Sequence, residues 1–284
     1  MSVSIVLFTS DLRVHDHPPL RAALRASSEV VPLFVRDTGI ASAGYAVPNR
    51  EAFLADCLGD LDAALRACGG RLVVRSGDVA DAVVGVAAET GADAVHLAGG
   101  VSAYAQRREE RLRNVLEAQG RRLIVHDTVV TAVAPGAVTP ASSDHFAVFT
   151  PYFRHWSEQH LRDVLAAPRA IGVPDDVATE GTPSRARVSG TSPGLTAGGE
   201  SAGRKQLTAW LRHGVGGYED GHDDLAGDAT SRLSPHLHFG TLAGSAVHEP
   251  WKQPGPERAK YAYPDPIVEL AEGLERFRRA RGLD

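Results

Sequence analysis

The chain has 284 residues, 43% hydrophobic and 23% charged, with a net charge of −5. This composition supports one large domain or two with a real core, and excludes a disordered, collagenous or disulfide-stapled chain. No apolar run reaches the ~18 residues of a membrane-spanning helix. Met1–Ser10 lacks the basic start and cleavage site of a signal peptide, and neither half of the chain carries the excess of basic residues that marks a nucleic-acid-binding domain.

The first half alternates between two hydrophobic periods. Apolar runs at Val3–Phe8, Val30–Val35, Arg71–Arg75, Ala94–Leu97 and Leu123–Val125 read as five strands. Helical spacing fills the gaps, from a start at Pro18-Pro19, then over Arg50–Cys68, Val79–Glu89 and Tyr104–Gln119. Gly69-Gly70, Gly91 and Gly120 stand where helix C-terminal caps are expected. Strands and helices alternating at this spacing predict an α/β unit over residues 1–130, with a parallel sheet covered on both faces. Cys57 and Cys68, the only cysteines, read as buried or bystander thiols rather than a disulfide frame or metal site, and the expected compartment is the cytoplasm.

The rhythm breaks from Thr128. Thr131–Thr139 reads as a loop or hairpin, and Phe149–His160 as an aromatic-rich helix. Thr179–Gly203, rich in Gly, Ser, Thr and Pro, reads as exposed, which makes 131–203 an interdomain connection. A short helix is expected over Lys205–His213. Prolines at 250, 254, 256, 264 and 266 forbid a long helix before the amphipathic Ile267–Arg281. Residues 204–284 are expected to form a small, mainly helical region.

Two segments carry charge and hydroxyls together. Phe8–Pro18 follows the first strand, where open α/β sheets bind ligands. Its charged residues are well placed for a ligand loop, but taken alone they fit better an Asp11–Arg13 pair that anchors the loop. It holds no Gly-x-Gly-x-x-Gly, which argues against the usual dinucleotide mode. In Asp228–Gly240, the hydroxyls of Thr230, Ser231 and Ser234 stand with the Arg232 guanidinium. At a helix N-terminus that set suits a diphosphate; it is also the make-up of an ordinary helix cap beside a solvated arginine. His236 and His238, two residues apart, do not share a helical face, and no metal site is expected.

Phe8–Pro18 resembles the opening motif of DNA photolyases and cryptochromes, with Thr9 and Ser10 where that family usually has arginines. Val148–Trp156 resembles the end of the family's antenna domain, and Thr230–Gly240 its flavin diphosphate motif. Val247–Trp251 and Tyr263–Val268 are similar to its C-terminal stretch. The resemblance implies a Rossmann-like five-stranded antenna domain, FAD, an antenna deazaflavin or folate, and UV-damaged DNA as partner. It implies flavin contacts at Tyr218, Thr230, Ser231, Arg232, Leu233 and Ser234, and it places His222 where relatives carry a DNA-contacting arginine. It names no catalytic residue here.

In the family a long helical flavin domain separates the Ser-Arg-Leu-Ser-Pro motif from the final segments. Here only Thr241–Ala246 stand between them. The implied protein is therefore a photolyase with a truncated flavin region and impaired repair, or a chromophore- or nucleotide-binding remnant without repair. Leu233, Leu237, Phe239 and Leu242 are expected to lie uncovered and to promote self-association.

Overall fold

The computed structural model describes residues 2–141 and 145–245. They form two units. The first takes residues up to 205 together with 233–245; the described part of the second is 206–232. The expected elements at 247–251, 263–268 and 267–281 lie outside the described residues.

The first unit is built on five parallel strands: β1 (Val3–Phe8), β2 (Glu29–Asp37), β3 (Val73–Gly77), β4 (Ala94–Ala98) and β5 (Arg122–His126). Their order is β3-β2-β1-β4-β5, and all four pairings are parallel. The helices before β5 are α1 (Pro18–Ala26), α2 (Thr38–Ser42), α3 (Pro48–Ala67), α4 (Val79–Thr90) and α5 (Ala103–Glu117). After it come α6 (Phe149–Ser157), α7 (Glu200–His213), α8 (Tyr218–Gly221) and α9 (Ser234–His238). This is the parallel, two-faced α/β unit that the alternation predicts.

Every residue of β1 is buried because side chains on both of its faces meet helices. Ile5 and Leu7 join Val31, Leu33, Val95 and Leu97 in a core closed by Val83, Val86, Leu112 and Leu116 of α4 and α5. Val6 and Phe8 face the other way, toward Leu20 of α1 and Phe53, Leu58, Leu61 and Leu65 of α3. Gly91, in the left-handed region at φ +65°, caps α4 as expected.

Two expectations differ from the structure. Thr179–Gly203 is largely exposed as expected, but it is not a free strap. Its start is tied to the sheet edge, where Val74 N–H donates to the Thr179 hydroxyl and Ser76 N–H to Glu180. Further on, Arg185 pairs with Asp56, Gly198 N–H donates to the Asp56 carboxylate, and Gly199 N–H points at the Cys57 sulfur. The small residues that resemble linker composition allow the chain to lie against α3: a Cβ at Gly198 would press on the Phe53 carbonyl. The same segment starts α7 five residues earlier than expected, because Asp60 accepts from Ser201 N–H.

The second difference concerns residues 233–245. Leu233 and Leu242 are buried, and the Phe239 ring lies against Phe53 with centroids 5.2 Å apart. Of the four apolar side chains expected to be uncovered, only Leu237 is exposed. For Phe239, the first unit's own α3 supplies the cover.

Candidate functional site

The Phe8–Pro18 loop leaves the C-terminal end of β1. Its charged groups do not form the expected Asp11–Arg13 pair. The Asp11 carboxylate instead accepts from His17 Nε2 at 2.8 Å and from Thr9 N–H at 2.7 Å. His17 Nδ1 accepts from Leu20 N–H at 3.0 Å, capping α1, which leaves Nε2 as the donor to Asp11. Burial opposes ionisation of Asp11, but attraction to His17, these hydrogen bonds and the nearby Arg13 outweigh it and hold its carboxyl below the usual range.

Arg13 is 2% exposed and directs its guanidinium at three carbonyls. One amino group donates to Gly240 at 2.8 Å; the other donates to Asp16 at 3.0 Å and Val129 at 2.9 Å. Glu200 accepts from Val14 N–H and contacts His15. Asp16 binds Arg162 and accepts from the Ser245 hydroxyl at 2.6 Å. The loop therefore holds segments from residues 129, 162, 200 and 240 together. This anchoring role accounts for Asp11, Arg13, Asp16 and His17.

The strand order reverses between β1 and β4, the position where open α/β sheets form a ligand crevice. Gly99-Gly100 follows β4 there, and Ser102 caps α5 by accepting from Ala105 N–H. The Tyr104 hydroxyl donates to Asp37 at the end of β2; burial and that carboxylate push its phenol up to about 12. Arg108 on the next turn of α5 has its Nε shielded from water without a hydrogen-bond partner. Nothing in the sequence singles out Tyr104 or Arg108, which lie in an ordinary amphipathic helix.

On the α1 side of the sheet lies a second feature without a sequence signal. The rings of His96 on β4 and His126 on β5 stack at 5.2 Å and share a 3.0 Å nitrogen–nitrogen hydrogen bond. Burial, with His126 and Arg122 nearby, pulls His96 down to about 4. An open cleft of about 700 Å³ runs between α3 and the 184–202 segment, and its acids Asp56 and Asp60 are already bonded to Arg185 and Ser201. Among the described residues, no group of three His, Cys, Asp or Glu side chains is placed to hold a metal ion, and no helix is long and apolar enough to cross a membrane.

The six residues expected to touch flavin divide between the two units. Leu233 and Ser234 belong to the first; Tyr218, Thr230, Ser231 and Arg232 belong to the second. Leu233 is buried, so its side chain is a packing group. Ser234 is the first residue of α9 rather than its cap, and α9 has only five residues, too short to bring a strong dipole to an anion. Thr230 and Arg232 are exposed. Arg232 Nε donates to the Asp228 carboxylate, and the Ser231 carbonyl accepts from Gln206 at 2.7 Å. Tyr218 lies against Trp210 and His222, with centroids 5.8 and 5.2 Å away.

The His222 ring is engaged by its immediate neighbours. Its Nδ1 is directed at the Glu219 carbonyl at 2.8 Å, and its Nε2 lies 3.5 Å from Asp223. Residues 206–232 carry Arg212 and Arg232 against Glu219, Asp220, Asp223, Asp224 and Asp228.

A parallel sheet of this order, covered by helices on both faces and with its first loop bonded to the Phe239 and Gly240 carbonyls, defines a Rossmann-like α/β domain. Residues 4–171 match the profile of the DNA photolyase family, and the chain belongs to that family. It is 62% identical to a deoxyribodipyrimidine photo-lyase of Streptomyces griseus over 250 residues, covering 87% of this chain and 55% of the relative. It is 29% identical to a cryptochrome DASH of Natronomonas pharaonis, covering 87% and 56%. A Synechocystis cryptochrome structure shares the fold with a TM-score of 0.79 at 20% identity, over 98% of this chain and 59% of the other. The chain thus spans a little over half the length of these relatives.

Proposed function

We propose that the protein is a photolyase-type flavin-binding protein whose light-dependent splitting of pyrimidine dimers in UV-damaged DNA is slow or absent, and that it acts in the cytoplasm. The observation that carries this reading is the coexistence, in one chain of the family, of a fully packed α/β unit and an accessible hydroxyl–guanidinium turn at Thr230–Arg232. That donor set fits the diphosphate of FAD: the hydroxyls of Thr230 and Ser231 would donate to phosphate oxygens, Arg232 would supply the cation, and Tyr218 would offer a ring face. Reduced flavin, when bound, supplies the electron that opens a dimer.

The chain's own residues hold the ligand weakly. A hydrogen bond to a charged group contributes ~1.5–3 kcal/mol, and two or three of them must offset an association cost of ~4–15 kcal/mol. Among the described residues of the second unit, only Leu211 and Val215 are buried hydrophobics, so little apolar cover is at hand for a flavin ring. The acidic surroundings of His222 also disfavour DNA at that position. The test is FAD binding, and repair of a thymine-dimer oligonucleotide by the chain with reduced FAD, under blue light and in the dark. Slow light-dependent repair, or FAD binding without repair, supports the reading. Rapid repair comparable to a full-length photolyase, or no FAD binding at all, contradicts it.

A second reading is a chromophore-binding module. It is favoured by the β1–β4 reversal of the strand order and by the shielded Arg108 Nε, which has no hydrogen-bond partner, close to Tyr104 and Asp37. A deazaflavin or folate there would give a visible or near-ultraviolet absorption band in the purified protein without flavin.

A further inference from the structure

The backbone around the diphosphate set is held in an unusual way. Asp228 and Arg232 both lie in the left-handed region at φ +50°, a conformation that asparagine and aspartate tolerate and arginine rarely takes. Their side chains are bonded to each other across this turn. Both are about half exposed, at 53% for Arg232 and 52% for Asp228, so the pair is in reach of a solute anion. The guanidinium that a diphosphate needs is thus already engaged by a carboxylate of the same turn. No neighbour in the unit's described sequence replaces that cation: Arg212 is the only further Lys or Arg in 206–232, against five acids.

We infer that Asp228 is an internal competitor for the diphosphate site, occupying Arg232 and lowering the affinity of the Thr230–Arg232 turn for phosphorylated ligands. This rests on the flavin reading above and adds its regulation: a bound diphosphate must displace Asp228 from Arg232 and tolerate its charge nearby. An exposed ion pair is a weak lock, so the effect is modest. Replacing Asp228 removes both the competitor and the repulsion. The predicted result is about three- to tenfold tighter binding, the scale of a single charge pair in water.

The experiment is a binding titration of the whole chain with FAD and, separately, with inorganic pyrophosphate. The proteins are the parent, Asp228→Asn, Arg232→Ala and the double variant, each checked by circular dichroism. The inference predicts tighter binding in D228N, weaker binding in R232A, and a D228N gain that shrinks when Arg232 is also absent, leaving only the part due to relieved repulsion. Parent-like or weaker binding by D228N, or a gain of undiminished size without Arg232, overturns it. If pyrophosphate follows the predicted order while FAD does not bind, the competitor role stands and the flavin reading falls. If neither ligand binds any variant at millimolar concentration, both fall.

Discussion

Residues 233–245 and 218–232 divide a single family motif, Thr230–Gly240, between them, yet they are held by different physics. The downstream part is locked into the α/β unit: Leu233, His236 and Leu242 are buried, Leu12 N–H donates to the Phe239 carbonyl, and Arg13 grips Gly240. The upstream part exposes Tyr218, Thr230 and Arg232 and relies on local contacts such as Arg232–Asp228 and Gln206–Ser231. The comparison separates two reasons for a motif to hold its residues. The buried positions from Leu233 onward are explained by packing, whereas Thr230 and Arg232 fill no core, and they carry the ligand reading.

The strongest way to break this contrast is Arg13→Ala. It strips three buried carbonyls of their donor and removes a cation that attracts Asp11, Asp16 and Glu200. The expected loss is about 3–5 kcal/mol in chemical denaturation, and a loss under ~1 kcal/mol would show that the latch is dispensable. Acid tests the same unit. The folded state holds His96 near 4, while the unfolded imidazole takes its proton near 6.5. The unfolded chain therefore binds more protons as pH falls from about 6.5 to 4. Stability should drop by up to about 3 kcal/mol across that window and then level with respect to this group. His96→Gln should flatten the slope, leaving the part due to His126, which burial also lowers. An unchanged slope would remove His96 as its cause. The carboxyls of Asp11 and Asp16, depressed in the folded state, add a separate loss below about pH 4.

Gly240→Ala is a smaller perturbation of the latch. The position has φ +64°, and a Cβ would collide with the Ser10 carbonyl, so a cost of ~1–3 kcal/mol is expected. At the small end, Tyr218→Ala in the exposed segment should shift global stability by less than about 0.5 kcal/mol while weakening FAD binding. A stability loss as large as that of Arg13→Ala would erase the contrast.

The five strands were legible in the sequence because each is an apolar run, and the alternation with helices leaves a parallel sheet as the consistent solution. Boundaries moved where distant groups decide them. β3 begins at Val73 rather than Arg71, since the Leu72 N–H donates to the Asp62 carboxylate instead of joining the ladder. The start of α7 depends on Asp60, 141 residues earlier. The role of Arg13 was hidden for the same reason: its partners Val129 and Gly240 are 116 and 227 residues away. Composition foretold the exposure of most of 179–203 but not its anchoring, because glycine and serine serve close packing on α3 as well as loose linkers. Of the candidate site, the hydroxyls and Arg232 were legible from residue type; the engagement of Arg232 by Asp228 required the turn geometry.

Hydrogen exchange on the whole chain, followed by peptide mass spectrometry, tests the contrast most directly. Leu12, Thr241 and their neighbours in 233–245 should exchange as slowly as the amides of β1, because they open only with the α/β unit, whereas 218–232 should exchange orders of magnitude faster. Fast exchange throughout 233–245, or protection of 218–232 equal to that of β1, would contradict the account.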